Sequence, residues 1–136
     1  MRILALDWGT KRIGAAISDE EEKIAFPLEQ TVETKNAVSE IKDIVSKYGV
    51  GLVLLGLPRN QSGQEGSSAK FLREFADNLA AATGKPITYI DERFTTVQAT
   101  KLLRQQGLSE KKQRLIKDNI AAQVILQSYL DAKYTK

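Results

Sequence analysis

The spacing of apolar residues changes repeatedly along the chain, and it limits the possible folds more than any other feature. Short apolar runs, typical of buried strands, alternate with stretches in which apolar residues recur every three or four positions, typical of amphipathic helices. The predicted strands cover residues 3–6, 12–18, 24–28, 52–55 and 87–90. The predicted helices cover about 33–48, 67–84, 95–107 and 115–133. Three strands therefore open the fold, and strands then alternate with helices.

This order predicts an α/β fold in which a mixed five-stranded sheet is covered by helices on both faces. Helical crossovers should make the first, fourth and fifth strands parallel. In such sheets, ligands bind beyond the carboxyl ends of the strands. The length of 136 residues and the hydrophobic content of 42% suit a single domain, predicted to span residues 1–136.

The chain contains neither cysteine nor histidine. Disulfides, thiolate or imidazole metal ligands, and catalytic triads that need histidine are therefore excluded. Carboxylates, lysines and hydroxyls remain as candidate catalysts, and no organic cofactor is expected. Metal ions held by oxygen ligands are the natural source of hydrolytic chemistry for such a composition.

Acidic residues at three distant positions are predicted to converge at one edge of the sheet. Asp7 follows the first strand, Asp91-Glu92 follows the fifth, and Asp118 lies at the start of the last helix. Carboxylates that approach each other need cations between them, and oxygen-only clusters suit Mg²⁺ or Mn²⁺. Ala121-Ala122 follows Asp118 by about one turn, so this helix face is small enough to approach the sheet closely.

Each acid also has a purely structural explanation. Asp7 could form a turn, Asp118 could interact with the positive end of its helix, and Asp91-Glu92-Arg93 could be a solvated loop with an internal ion pair. The acidic run 19–22 is interpreted as a solvated turn and not as a metal site.

The formal net charge of +3 favours a polyanionic partner. The opening apolar run has only four residues before Asp7, which is unlike a signal peptide. Nothing in the sequence approaches the length of a membrane span. We therefore expect a cytoplasmic protein that has no membrane contact.

Four segments add a family resemblance to this interpretation. They are Asp7-Trp8-Gly9-Thr10-Lys11-Arg12-Ile13-Gly14, Gly56-Leu57-Pro58-Arg59-Asn60 with Gly63, Asp91-Glu92-Arg93-Phe94-Thr95-Thr96, and Asp118 with Ala121-Ala122. Together they resemble the bacterial YqgF family, also called RuvX, whose members are described as Holliday junction resolvases or pre-16S ribosomal RNA nucleases. The opening Asp-x-Gly-Thr is weakly specific by itself, but four motifs in order over essentially the whole chain are strongly specific.

The resemblance implies a fold similar to RuvC and ribonuclease H, and metal-dependent cleavage of precursor or structured RNA, or of DNA junctions. Asp7, Glu92 and Asp118 match the family's acidic positions and are the implied catalytic and metal-binding residues. One feature departs from the RuvC pattern, because no acid follows the strand that ends at Leu57. The second carboxylate must then come from Asp91 or Glu92. Strand alternation sends these two side chains to opposite faces, and the family pattern favours Glu92.

The resulting hypothesis is a two-metal nuclease site. Asp7 would bridge two Mg²⁺ or Mn²⁺ ions about 4 Å apart, with Glu92 and Asp118 each completing one side. One ion would activate water and the other would stabilise the leaving oxygen. Basic residues near these acids in sequence are candidate nucleic-acid contacts: Lys11, Arg12, Arg59, Arg93, Lys111, Lys112, Arg114 and Lys117. For the cluster 111–117, a solvated loop is an equal alternative.

Two other classes of protein compete with the nuclease. Asp-x-Gly-Thr followed by Gly14 also resembles the first phosphate loop of actin-like and sugar-kinase ATPases, but these enclose a nucleotide between two such domains, and 136 residues provide one. A noncatalytic RNA-binding domain is the third class. The choice between precursor rRNA and structured DNA, the mode of cleavage, and the choice between monomer and homodimer stay open at this point.

Overall fold

The computed structural model describes residues 1–8, 11–29, 32–57, 67–91 and 117–134. The six strands are β1 (Arg2–Asp7), β2 (Arg12–Ser18), β3 (Ala25–Pro27), β4 (Val32–Glu33), β5 (Val50–Leu57) and β6 (Ile87–Asp91). The three helices in the described ranges are α1 (Ala37–Tyr48), α2 (Ser67–Thr83) and α3 (Lys117–Tyr134). The predicted helix 95–107 and the residues 58–66, which follow β5, lie outside the described residues.

The strands form one mixed sheet with the order β3-β2-β1-β5-β6, and β4 also pairs with β2. β1, β5 and β6 are parallel, whereas β2 runs antiparallel to β1 and to β3. The predicted parallel arrangement of the three strands that are linked through helices is therefore confirmed. β1 lies in the middle of the sheet, so its last residue is surrounded by structure on both sides.

Helices cover both faces of the sheet, which confirms the predicted layering. Leu4 and Leu6 of β1 lie in a core that includes apolar side chains of α1 and α2. Ile3 and Ala5 lie in a second core, against the apolar face of α3. All four of these β1 residues are fully buried. The continuous apolar run follows from this, because a strand covered on both faces has no solvent side to carry polar residues.

The segment before α1 differs from the sequence-based prediction. The predicted helix starts at Glu33, but residues 32–33 form β4, residues 34–36 form a 3-10 turn, and α1 begins at Ala37. Val32 is buried and pairs with Ile13, and the amide of Thr34 donates to the carbonyl of Lys11 at 3.0 Å. Pairing with β2 therefore overrides the local helical spacing and adds a sixth strand to the five predicted.

Gly49 follows the last residue of α1, Tyr48, which is also where the sequence predicts the end of this helix. The φ of Gly49, 65°, lies in the left-handed region, where an L side chain is strained. β5 begins at the next residue, Val50, two residues earlier than predicted. This abrupt reversal lets α1 pack directly on the strand that follows it. Among the described residues, no helix combines the length and apolarity needed to cross a membrane.

Candidate active site

The parallel strands end together, as the prediction of a ligand site requires. Asp7 of β1 is in register with Gly56 of β5, and Leu57 of β5 is in register with Asp91 of β6. We call the line of last residues Asp7, Leu57 and Asp91 the carboxyl edge. Two of the predicted acidic positions, Asp7 and Asp91, therefore lie at the carboxyl edge. They end β1 and β6, and only β5 lies between these strands.

Asp7 belongs to the face of the sheet that α3 covers. Side chains alternate along a strand, and Ile3 and Ala5, which precede Asp7 by four and two residues, both pack in the α3 core. The register with Gly14 of β2 and Gly56 of β5 extends through Asp7, so this alternation continues to the end of β1. The side chain is half-buried. A carboxylate is thus placed at the rim of a covered sheet face, where water and ions can reach it.

The N-terminus of α3 lies at the same edge. The amide of Ala15 donates to Oδ1 of Asn119 at 2.8 Å, and Ala15 neighbours Gly14, the residue in register with Asp7. At the other end of the helix, Lys133 binds Glu22. Glu22 follows β2, which is antiparallel to β1 and therefore ends at the edge opposite to Asp7. α3 therefore starts at the carboxyl edge and runs away from it.

Position 118 lies on the sheet-facing stripe of this helix. Ala122, Leu126 and Leu130 are buried against the sheet at intervals of four residues, and Asp118 precedes Ala122 by the same interval. Ala122 contacts a part of the sheet that contains the small residues Ala5 and Ala16. The expectation that a small-residue face lets α3 approach the sheet is met at Ala122, whereas Ala121 is only half-buried.

The predicted basic residues are only partly within the described residues. Lys11 and Arg12 are exposed at the start of β2, which lies beside the end of β1 at the carboxyl edge. Lys117 is the first residue of α3. The others lie outside the described residues: Arg59, Arg93, Lys111, Lys112 and Arg114. Lys11, Arg12 and the first turn of α3 therefore share one edge with Asp7.

Of the predicted metal ligands, the structure describes the side chain of Asp7 and the backbone position of Asp118, while Glu92 lies outside the described residues. Among the residues that the structure describes, no three acids form a cluster able to hold a metal ion. The assignment of Asp7, Glu92 and Asp118 as ligands thus stays a prediction, supported by the shared edge.

Sequence reasoning missed Asn119. This residue is fully buried, and its Nδ2 donates to the carbonyl of Leu28 at 2.6 Å while Oδ1 accepts from Ala15. A signal was present, because Asn119, Gln123 and Gln127 place amides at intervals of four residues on a helix whose neighbouring positions are largely apolar. Polar residues at the spacing of a buried helix face indicate hydrogen bonds to a neighbouring backbone.

The acidic run 19–22 has a structural role at the opposite edge. Oδ1 of Asp19 accepts from the amides of Lys23 and Ile24 at 2.8 and 2.9 Å. Glu22 binds Lys133 and lies 3.5 Å from the amino terminus. The predicted turn is therefore not simply solvated, since Asp19 bonds to the backbone within the turn and Glu22 connects it to the amino terminus and to the end of α3.

Comparison with solved structures defines the class of fold. The structure of RuvC from Thermus thermophilus matches with a TM-score of 0.58 at 12% identity, over 98% of this chain and 96% of that one. The fowlpox virus resolvase in complex with Holliday junction DNA matches with a TM-score of 0.56 at 14% identity, over 99% and 100% of the two chains. The fold is therefore RuvC-like, within the ribonuclease H-like class that the sequence predicts.

Sequence comparison gives the family. The sequence model of RuvX, described as Holliday junction resolvase, matches residues 1–132. A relative from Chloroflexus aurantiacus, named as a candidate pre-16S rRNA nuclease, is 42% identical over 96% of this chain and 87% of its own length. A relative of the same name from Moorella thermoacetica is 42% identical over 96% and 95% of the two chains. The chain belongs to the RuvX family of nucleases, which confirms the resemblance and favours a hydrolytic nuclease over the ATPase alternative.

Proposed function

We propose that this protein is a divalent-metal-dependent endonuclease that processes the 5′ end of precursor 16S rRNA during ribosome biogenesis, as a single domain over residues 1–136. Asp7, Glu92 and Asp118 are the proposed catalytic and metal-binding residues. One observation carries the proposal: Asp7 ends the middle strand on the face that α3 covers, and the first turn of α3 lies at that same edge.

The available donors suit a hard cation. Without histidine and cysteine, this chain can offer only oxygen ligands or lysine amines, and carboxylate oxygens are the ligands that Mg²⁺ and Mn²⁺ prefer. The position of β6 supports Glu92 over Asp91. Ile90 packs in the α3 core and Ile87 in the opposite core. If the alternation of β6 were carried on beyond its last residue, position 92 and not position 91 would share the face of Asp7.

The protein's own groups have three tasks in this proposal. Asp7 would supply one carboxylate of the site, Asp118 of α3 would supply the second, and Glu92, the residue after β6, would supply the third. When bound, Mg²⁺ or Mn²⁺ supplies an acidified water and offsets negative charge in the transition state. Lys11 and Arg12, exposed at the carboxyl edge, hold substrate phosphates beside the carboxylates.

The substrate is assigned from the relatives at 42% sequence identity, which are more similar to this chain than the solved resolvase structures are. Proteins at 42% identity are named as candidate pre-16S rRNA nucleases, and this identity extends over nearly all of the chain. Four-way DNA junctions are the second candidate, because the matching family is described as Holliday junction resolvase. A noncatalytic RNA-binding domain would retain binding to the same RNA but would not cleave it.

The test compares the wild-type protein with Asp7→Asn on both substrates. In Mn²⁺, the wild-type protein should cleave precursor 16S rRNA in preference to a four-way DNA junction. Asp7→Asn should abolish this cleavage, because a neutral amide binds a divalent cation much more weakly than a carboxylate does. The matched control is Asp43→Asn, which changes an exposed acid of α1 and should leave cleavage unchanged.

Circular dichroism and thermal unfolding establish that each variant is folded. Full activity of folded Asp7→Asn, in protein free of contaminating nuclease, would contradict the assigned site. If the wild-type protein preferred the DNA junction, the junction would replace precursor 16S rRNA as the assigned substrate. RNA binding without cleavage by the wild-type protein would favour the noncatalytic alternative.

A further inference from the structure

A row of side-chain amides joins α3 to the β2–β3 hairpin. Gln127 accepts from the amide of Ala25 at 2.9 Å and donates to the carbonyl of Lys23 at 3.0 Å. Gln123 donates to the carbonyl of Ala25 at 2.9 Å. Both backbone groups of Ala25 are therefore bonded to glutamine side chains. These bonds determine how far along the hairpin α3 lies.

Asn119 is the member of this row nearest to the carboxyl edge, and its bonding differs from that of the glutamines. The amide of Leu28 donates to the carbonyl of Ala15 at 3.0 Å, which is one half of an antiparallel residue pair. In a regular pair, the amide of Ala15 would in turn donate to the carbonyl of Leu28. Here the carboxamide of Asn119 lies between these two groups and bonds to both, at 2.8 and 2.6 Å.

This insertion connects the first turn of α3 to the strand that pairs with Asp7. Ala15 is in register with Leu6, and the preceding Gly14 is in register with Asp7. Asn119 directly follows Asp118, and its side chain is fully buried. Movement of this helical turn away from Asp7 would break both hydrogen bonds. The bond from Ala15 is buried, so its loss would leave a backbone amide without water in exchange.

We infer that Asn119 is a positioning residue for the nuclease site: by bridging Ala15 and Leu28 it holds the α3 turn that carries Asp118 at a fixed distance from Asp7. The inference rests on the proposed function, because it assumes that Asp118 binds the metal. The side chain at this position must accept a hydrogen bond from the amide of Ala15 and donate one to the carbonyl of Leu28, and a carboxamide does both. A carboxylate at residue 119 could accept from Ala15 but could not donate to Leu28.

The test uses two substitutions on α3 that remove similar bonds at different distances from the carboxyl edge. Asn119→Leu keeps the approximate size of the side chain and removes both bonds. Gln123→Met is the matched control, because Gln123 is also buried, at 1% exposure, and also bonds to the hairpin backbone. Asn119→Ala is measured in parallel, so that the comparison remains possible if the leucine variant does not fold.

The decisive readout is Mn²⁺ affinity, measured by calorimetry and by the rise in melting temperature that Mn²⁺ causes. Both substitutions should lower the melting temperature without metal. Only the Asn119 variants should also weaken Mn²⁺ binding, by roughly tenfold to a hundredfold, as expected for residues that orient a metal ligand. The Mn²⁺ concentration for half-maximal RNA cleavage should rise in the same proportion, while KM for RNA at saturating Mn²⁺ stays near the wild-type value.

Unchanged Mn²⁺ affinity in a folded Asn119 variant would overturn the inference, and so would an equal loss in Gln123→Met. Failure of the proposed function has a different signature, because the wild-type protein itself would then neither bind Mn²⁺ nor cleave RNA. If the wild-type protein does both and the Asn119 variants match it, the nuclease proposal stands and only the role of Asn119 is wrong.

Discussion

At the scale of single residues, Asp19 shows how one ionised side chain stabilises a turn. Hydrogen bonds from the backbone, first that of Ile24 and then that of Lys23, hold the pKa of Asp19 below its ordinary value of 3.8, because they favour the charged form. The pKa of Glu22 is also lowered, chiefly by its hydrogen bond with Lys133. Such groups contribute stability above their unfolded pKa, and this contribution is lost as the pH falls through the lower, folded value.

Asp19→Asn should therefore destabilise the protein more at neutral pH than in strong acid. The asparagine oxygen can still accept from the two amides, so the change removes mainly the charge, and hydrogen bonds to a charged group are stronger than neutral ones. We expect a loss of up to about 1 kcal/mol in the free energy of unfolding at pH 7, since the turn is exposed to solvent. Urea unfolding at pH 7 and at about pH 2 measures the difference, which should be smaller at the lower pH, because protonation of Asp19 removes its charge.

Glu20→Gln provides the control in the same turn. The Glu20 side chain is 82% exposed and lies 4.0 Å from Arg2, so its neutralisation should change stability little at either pH. An equal loss for Asp19→Asn at both pH values would show that the charge of Asp19 is not what stabilises the turn.

At the scale of elements, small residues determine how α3 lies on the sheet. Ala122 is fully buried against a surface that includes Ile3, Ala5 and Ala16. Larger side chains in this layer would increase the distance between helix and sheet, since protein cores have little free space. The packing that stabilises the fold therefore also determines where the first turn of α3 lies relative to Asp7.

Ala122→Leu should destabilise the fold by about 1–3 kcal/mol through overpacking. It should also reduce metal-dependent cleavage at temperatures where the variant is still folded, because the displaced helix carries Asp118 away from the carboxyl edge. Ala121→Leu makes the same chemical change at the adjacent, half-buried position and should have the smaller effect on both quantities. Urea unfolding and initial cleavage rates measure the two effects, and similar results for both variants would contradict this account of the packing.

At the scale of the whole molecule, charges of opposite sign lie at opposite edges of the sheet. Exposed Lys11 and Arg12 lie at the carboxyl edge, beside Asp7, whereas the acidic run 19–22 follows β2 at the other edge. A polyanion is attracted to the exposed cations of the first edge, whereas three acids of the second edge already have ion-pair partners. This distribution would orient nucleic acid so that its phosphates approach the proposed catalytic carboxylates.

Lys11→Ala should lower the affinity for RNA and make that affinity less dependent on salt concentration. Removal of one phosphate contact should reduce the slope of log affinity against log salt concentration by about 1. Lys47→Ala is the control, because Lys47 lies near the end of α1, whose next strand starts at the edge opposite to Asp7. Fluorescence titrations with precursor 16S rRNA, without divalent metal to prevent cleavage, measure both slopes. Equal slopes for the wild-type protein and Lys11→Ala would exclude a phosphate contact at Lys11.

The sequence by itself determined the class of fold and the edge of the sheet on which the site is proposed. Apolar spacing reports which faces of an element are buried, and this local information was enough to predict the parallel strands, the helices on both faces and the sheet-facing position of Ala122. The four motifs, in order over essentially the whole chain, were enough to indicate the family.

Only the tertiary structure decided the short strand β4 and the role of Asn119. Two residues of strand have too little length to show a period, and Val32–Glu33 adopts this conformation because β2 offers a partner. Asn119 bonds to Ala15, 104 residues away, and to Leu28, 91 residues away. The four-residue spacing of the amides on α3 indicates that they bond to a neighbouring backbone, but which backbone groups Asn119 meets depends on how distant segments fold together.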